Sequence, residues 1–272
     1  MDRIPRLPRL IRPLAALAVA TLALTGGALA GQVLEEPFEK TYDGNGIERV
    51  RLQNVNGPVR VGTWDKAHIR VSAVKRAKGS RAEEAIAETE IRVAKRAGAI
   101  EIETVLPKPT RSWGIFSWGS RGGAEVAYEL LLPAALPVDV ETVNGRVTAE
   151  KRLGSLTLNT VNGSVRVEEQ GGPLHVNTVN GSVEVVFSGP LQAADLETVN
   201  GSVTVTCARD SSFRFDLQTV NGKIRSDFPD VTVEGKWGPK EARGEIAGGR
   251  ERLTVETVNG EVRVLAGDAA ER

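Results

Sequence analysis

The residues of this sequence that could do chemistry are few and widely spaced. Two histidines, His68 and His175, and one cysteine, Cys207, have the ordinary pKa values best suited to general-base or nucleophilic work near neutral pH. Each histidine sits in an apolar/polar alternation and reads as an exposed strand residue. Cys207 shares strand parity with Val203 and Val205, so it reads as a buried packing thiol, and a lone cysteine cannot form an intramolecular disulfide. No nucleophile elbow, phosphate-cradling glycine loop or metal-ligand spacing occurs. No catalytic residue, cofactor or metal is therefore assigned. The carboxylates Glu141, Glu197 and Glu256 share one repeat position with Asn159, Asn177 and Gln218, which marks a solvated polar stripe. A calcium-binding β-roll needs aspartates in its glycine turns, and these turns carry asparagine.

What positions these residues is a repeat. Val-Asn-Gly recurs with its asparagine at Asn56, Asn144, Asn162, Asn180, Asn200, Asn221 and Asn259, at spacings from Asn144 of 18, 18, 20, 21 and 38. A period of this size signals a repeat architecture, and the wide last gap predicts one unit that has lost the motif. Around it runs Leu-x-(Leu/Val)-x-Thr-Val-Asn-Gly-x-Val-x-Val, as in Leu156, Leu158, Thr160, Val165 and Val167. Period-two alternation on both sides of Asn-Gly predicts two short strands per repeat. Asn and Gly tolerate positive φ, so the chain is expected to turn there. Asn162, Asn180 and Asn200 also begin Asn-Gly-Ser, but the asparagine persists where the serine does not, so its role is read as structural rather than as a glycosylation acceptor.

Two all-β architectures fit. In an antiparallel meander, open or closed into a barrel, Asn-Gly is a hairpin turn pairing Thr160 with Val165. In a β-solenoid, helix-like with repeats of roughly 18–21 residues, each position stacks on its counterpart about 4.8 Å away. In-register stacking rewards identity, because asparagine amides can bond to one another in a ladder. A hairpin turn accepts Asp-Gly or Gly-Gly as readily, so the solenoid is expected and the meander or barrel is the alternative.

The chain opens with Arg3, Arg6, Arg9 and Arg12, an apolar run from about Leu14 to Leu24, and Ala28-Leu29-Ala30. That pattern is a signal peptide over residues 1–30. Its apolar stretch falls short of the roughly 20 residues that span a bilayer, so no membrane span is expected after cleavage. The residue after the cleavage point is Gly31 and not cysteine, so a lipid anchor is not expected. Residues 1–30 hold four of the 35 basic and one of the 35 acidic residues, which leaves 31 against 34 and gives no reason to expect nucleic acid as a partner. Residues 31–272 are read as a single elongated β-repeat domain, with the main array at about 124–266 and room for a sizeable core.

Between the first motif and the array lies other material. Ser80 to Glu90 predicts a short helix, with Ser80 and Glu83 in capping-box register and Ala82, Ala85 and Ile86 on one side. Ile91 to Pro107 predicts two strands joined near Ala97-Gly98. Lys108 to Gly123 is Gly-rich yet carries Trp113, Phe116 and Trp118, a candidate contact loop whose rings either cap the core or form a platform. Pro229 to Gly249 carries Trp237 in a similar interruption.

The stretch Val50 to Ala77, with its Asn-Val-Asn-Gly and Thr-Trp-Asp turn, and the Thr-Val-Asn-Gly array to Val264 together resemble the bacterial "putative adhesin" family of exported β-strand-repeat proteins, a domain family of unknown function. The resemblance spans nearly the whole chain after residue 30. It implies a β-solenoid in the envelope or outside the cell and carries over no catalytic residues. The expected function is non-enzymatic, adhesin-like binding or scaffolding at the cell envelope, in the periplasm or on the surface, with an envelope polysaccharide or a surface protein as partner. The alternatives are a polysaccharide lyase or hydrolase built on a β-helix, by analogy of fold alone, and an envelope-stress accessory protein. Export makes a direct prediction: mass spectrometry of the protein from its native envelope should find a mature start at Gly31, and a start at Met1 would place it in a membrane-anchored class.

Overall fold

The computed structural model describes residues 33–107, 123–235 and 238–267; the signal-peptide segment lies outside them. Among the described residues the chain forms twenty strands and one helix. The first elements are β1 (Val33–Asp43), β2 (Arg49–Gln53), β3 (Val59–Thr63), β4 (His68–Lys78), α1 (Ala82–Glu88), β5 (Glu90–Arg96), β6 (Ala99–Val105) and β7 (Glu125–Leu132). Next come β8 (Val138–Asn144), β9 (Val147–Glu150), β10 (Leu156–Asn162), β11 (Val165–Gln170), β12 (Leu174–Asn180), β13 (Val183–Phe187), β14 (Ala194–Asn200) and β15 (Val203–Ala208). The last are β16 (Phe213–Thr219), β17 (Ile224–Ser226), β18 (Lys240–Ile246), β19 (Glu251–Asn259) and β20 (Val262–Gly267).

The fold is all-β, with two ten-stranded sheets of mixed direction that do not close into a barrel. Each repeat contributes the strand before Asn-Gly to one sheet and the strand after it to the other. Thus β10 pairs in parallel with β8 and β12, while β11 pairs in parallel with β9 and β13. The hairpin meander is overturned by this: β10 and β11 flank one Asn-Gly yet lie in different sheets, so Thr160 pairs with Thr178 and Thr142, not with Val165. The inward residues of both sheets meet in one core, to which a typical layer gives Leu156, Leu158, Val165 and Val167, all almost fully buried. Burying each such side chain stabilises by roughly 1.5–3 kcal/mol relative to exposure.

Stacking at the corner explains the repeated letters. Asn144 donates from Nδ2 to Asn56 Oδ1 at 2.8 Å, Asn162 to Asn144 at 2.8 Å, Asn180 to Asn162 at 2.8 Å and Asn200 to Asn180 at 2.9 Å. The series then leaves sequence order, because Asn259 donates to Asn200 at 2.8 Å and Asn221 to Asn259 at 2.9 Å. The glycines are needed for space rather than for positive φ, which among the motif glycines only Gly57 adopts. A Cβ at Gly181 would stand 2.0 Å from the carbonyl oxygen of Gly163, and at Gly163 1.9 Å from that of Gly145. In four layers threonine completes the corner from inside: Thr178 Oγ1 donates to Gly163 O at 3.2 Å, Thr198 to Gly181 O at 3.0 Å, Thr257 to Gly201 O at 3.0 Å and Thr219 to Gly260 O at 2.9 Å, whereas the buried Thr142 and Thr160 hydroxyls have no such partner.

The opposite corner is plugged by polar side chains. Arg152 is fully buried without a carboxylate partner. It donates to Thr63 Oγ1 at 3.1 Å, to Pro133 O at 2.9 Å and to Leu136 O, which ties three segments together. Burial pulls its guanidinium pKa down to about 10. One layer on, buried Gln170 donates to Gly172 O at 2.9 Å and Gly154 O at 3.2 Å.

The ends depart from simple succession. The wide gap before Asn259 holds no motif-less layer; it holds β18, which pairs antiparallel with β16. The final strands β19 and β20 insert between the Asn200 layer and the Asn221 layer. At the other end β2 lies between β6 and β8, and β3 between β7 and β9. The predicted helix is present as α1, but its N-cap is Arg81 with no side-chain cap, so the Ser80–Glu83 capping box does not form. The predicted pair near Ala97-Gly98 is an antiparallel hairpin, with φ of 45° at Ala97 and 76° at Gly98 as a two-residue I′ turn requires.

Corner packing separates two substitutions. Asn180→Ala removes two solvent-exposed bonds whose partners can turn to water, so it should cost about 1 kcal/mol. Gly181→Ala forces backbone layers apart and should cost about 3 kcal/mol. Urea unfolding of both variants checks the order; the asparagine change as the costlier one would mean that the ladder, not the close approach, holds the corner.

Candidate binding face

Alternation decides what the motif shows to solvent. Thr points inward, so Val, one residue on, points outward on the sheet that contains β8, β10, β12, β14, β19 and β16. Val143, Val161, Val179, Val199, Val258 and Val220 follow one another in stacking order, each 37–41 % exposed. At the strand spacing the row runs roughly 24 Å. Beside it on one side runs the asparagine ladder. On the other runs the predicted polar stripe, in the order Gln53, Glu141, Asn159, Asn177, Glu197, Glu256, Gln218. Within that stripe Gln53 Nε2 donates to Glu141 at 3.1 Å and Asn177 Nδ2 to Glu197 at 3.2 Å. A further row is laced by ion pairs, Arg51 to Asp139 at 3.2 Å and Arg243 to Asp216 at 3.2 Å.

At the end of the valine row, the segment after β17 folds beside the sheet and makes a cleft of about 540 Å³. Val199, Val258 and Val220 line it together with Glu197, Glu256, Glu234, Glu241 and Lys240. Lys240 Nζ donates to Gly222 O at 2.8 Å, and Glu234 and Glu241 exchange backbone hydrogen bonds, which fixes this wall. Sequence reasoning missed the cleft, since nothing in the letters places Glu234, Lys240 and Glu241 against a face built from residues 177–258. The valine row was legible in principle: a residue two places after an outward Glu or Asn must also face outward.

The candidate residues divide accordingly. All seven ladder asparagines are brought together. His175 Nδ1 lies 3.3 Å from Asp195 Oδ2 with both side chains more than 40 % exposed, on an open sheet face. His68 is exposed at the start of β4, as predicted. Cys207 is buried and its thiol is pushed up to about 11 by burial, which suits packing and not thiolate chemistry. Among the described residues no three His, Cys, Asp or Glu are grouped to hold a metal, and no helix is long and apolar enough to cross a membrane. Trp113, Phe116, Trp118 and Trp237 lie outside the described residues.

Comparison with known proteins bears on the whole face, because the Toastrack DUF4097 family model matches residues 43–265. The chain belongs to that family. The resemblance to "putative adhesin" proteins is borne out with it. This Toastrack chain is similar to a crystal structure of a "putative cell adhesion protein" from Clostridium sporogenes, at 14 % identity over 86 % of this chain and 100 % of the other, with a TM-score of 0.50. A "putative adhesin" from Bacteroides fragilis matches 84 % of this chain and 97 % of its own at 9 % identity and a TM-score of 0.41. A "putative lipid binding protein" from Parabacteroides distasonis matches 85 % and 97 % at 10 % identity and a TM-score of 0.32. At such identities the first of these supports the Toastrack fold and no activity. No curated protein matches the sequence.

Proposed function

We propose that this is a non-enzymatic, exported β-solenoid protein of the cell envelope or exterior that binds or scaffolds through its repeat face. One observation carries the reading. Six valines with no place in the core stand in register on an outer sheet face, flanked by an amide ladder and a stripe of Glu, Asn and Gln. Contiguous exposed apolar surface rimmed by polar groups marks interaction sites. A strip that repeats at each strand spacing presents methyl and amide groups at regular intervals, which suits a long partner such as an envelope polysaccharide or a surface protein. The signal-like start supports export, and family membership is in keeping with an adhesin-like role.

The cleft supports a second reading. Glu197, Glu256, Glu234 and Glu241 with Lys240 in one groove is the kind of carboxylate-and-lysine grouping that a polysaccharide lyase or hydrolase needs. The exposed strip favours binding, because Val143, Val161 and Val179 lie outside the cleft on an open face, where the groups presented suit contact rather than proton transfer.

The test uses the full chain against envelope polysaccharides, reading both retention and cleavage. Val179→Thr with Val199→Thr, which keeps the β-branched shape, should leave the unfolding free energy in urea within about 1 kcal/mol of wild type and should lower binding about tenfold through the two lost methyl contacts. Release of new polysaccharide ends that is lost in Glu256→Gln would replace the binding reading with the enzymatic one.

A further inference from the structure

The last repeat fills a slot. On one side β19 and β20 pair in register with β14 and β15, and on the other with β16 and β17. Buried Leu253, Val255, Val262 and Val264 complete the core at this level, and Asn259 bonds to Asn200 and Asn221 on its two sides. Both walls carry the same repeat pattern. What the slot recognises is therefore a strand pair with this motif, through ladder hydrogen bonds and alternate side chains.

The chain reaches the slot by a short crossing. Phe213 at the start of β16 pairs with Ile246 of β18 on one side and with Glu251 of β19 on the other, so Ala247 to Arg250 must carry the chain past β16, roughly 9.6 Å across two strand spacings. In that crossing Ala247, Gly248 and Gly249 have φ of 48°, 85° and 58°. Alanine adopts left-handed backbone at a cost. Ser212 holds the crossing in place: its Oγ donates to Ala247 O at 2.7 Å and accepts from Arg250 N at 3.2 Å. An element with a complete set of contacts, joined to the rest through a short strained hinge, is the arrangement from which copies exchange elements.

We propose that β19 and β20 form an exchangeable donor repeat, and that opening of the Ala247–Arg250 hinge lets one copy place its last repeat in the slot of a second copy, reciprocally. The partner is a second copy of this chain. Every contact of the slot is kept in the exchanged pair and only the hinge differs, where Ala247 is freed from left-handed backbone. Two copies joined this way carry two repeat faces, which multiplies attachment to any long partner. The inference does not depend on what those faces bind.

Asp195 and Thr254 are cross-strand partners on β14 and β19, and adjacent strands bring Cα atoms within disulfide range. Full chains bearing Cys207→Ser with either Asp195→Cys or Thr254→Cys are mixed, unfolded in urea and refolded over a series of protein concentrations. A disulfide-linked heterodimer that increases with concentration is expected. Inserting several glycines after Gly249 should lower the dimer fraction several-fold, because the monomeric crossing is then unstrained. Deleting Gly248, Gly249 and Arg250 leaves two Cα steps, at most about 7.6 Å, too little chain to pass β16, and should give folded dimer with no monomer. Failure of the two single-cysteine chains to link at any concentration overturns the proposal, whatever the deletion variant does, and so does a dimer fraction indifferent to hinge length.

Discussion

The structure depends on how closely the Asn-Gly corners stack. The carbonyl oxygen of one glycine occupies the space where the next layer's glycine would carry its Cβ, at about 2 Å in layer after layer. No other residue type fits there without moving backbone. Once the glycines are fixed, the asparagine before each is held beside its counterpart, and the buried threonine comes within reach of the neighbouring carbonyl. Hydrophobic burial would accept many aliphatic patterns; the corner accepts one short string of letters. That is why all seven repeats keep Asn-Gly, and six of them Thr-Val-Asn-Gly with Asn54 in place of threonine in the first, while the inward positions elsewhere need only be aliphatic or aromatic.

The same constraint isolates the valine. Thr, Asn and Gly each have a task in the corner, while valine points to solvent and bonds to nothing. Stacked valines shield one another in part, and β-branched side chains suit strands, yet more than a third of each remains exposed. A polar residue would meet the backbone requirement equally well. An apolar row on an outer face is thus the feature that the architecture leaves unexplained, and it is the feature on which the proposed binding role rests.

The ends of the stack follow a different logic. A sheet edge offers unpaired backbone groups to other chains. Here the repeats nearest each chain end are placed one layer in, and antiparallel strands outside them form most of the edges: β1 and β5 at one end, β18 at the other. The edge strands are charged, as Glu35, Glu36, Glu39 and Lys40 on β1 show, with Pro37 among them lacking a donor. Sideways addition of strands is discouraged, while the interior slot for β19 and β20 remains specific for the motif itself.

The alternation of Leu156, Leu158, Thr160, Val165 and Val167 was enough to specify strands, their inward faces and the buried state of Cys207, because period two leaves a side chain only two directions. The recurrence of asparagine was enough to favour stacking over hairpins, because identity matters only where like meets like. The sequence did not disclose that Asn259 stands between Asn200 and Asn221, since every motif repeat pairs equally well with every other and local letters carry no order. Nor did it disclose that Arg152 would be buried against carbonyls, or that Glu234, Lys240 and Glu241 would wall a cleft on a distant face. Those depend on which distant segments pack together, and in parallel sheets strand pairing is itself long-range, so no local pattern encodes it.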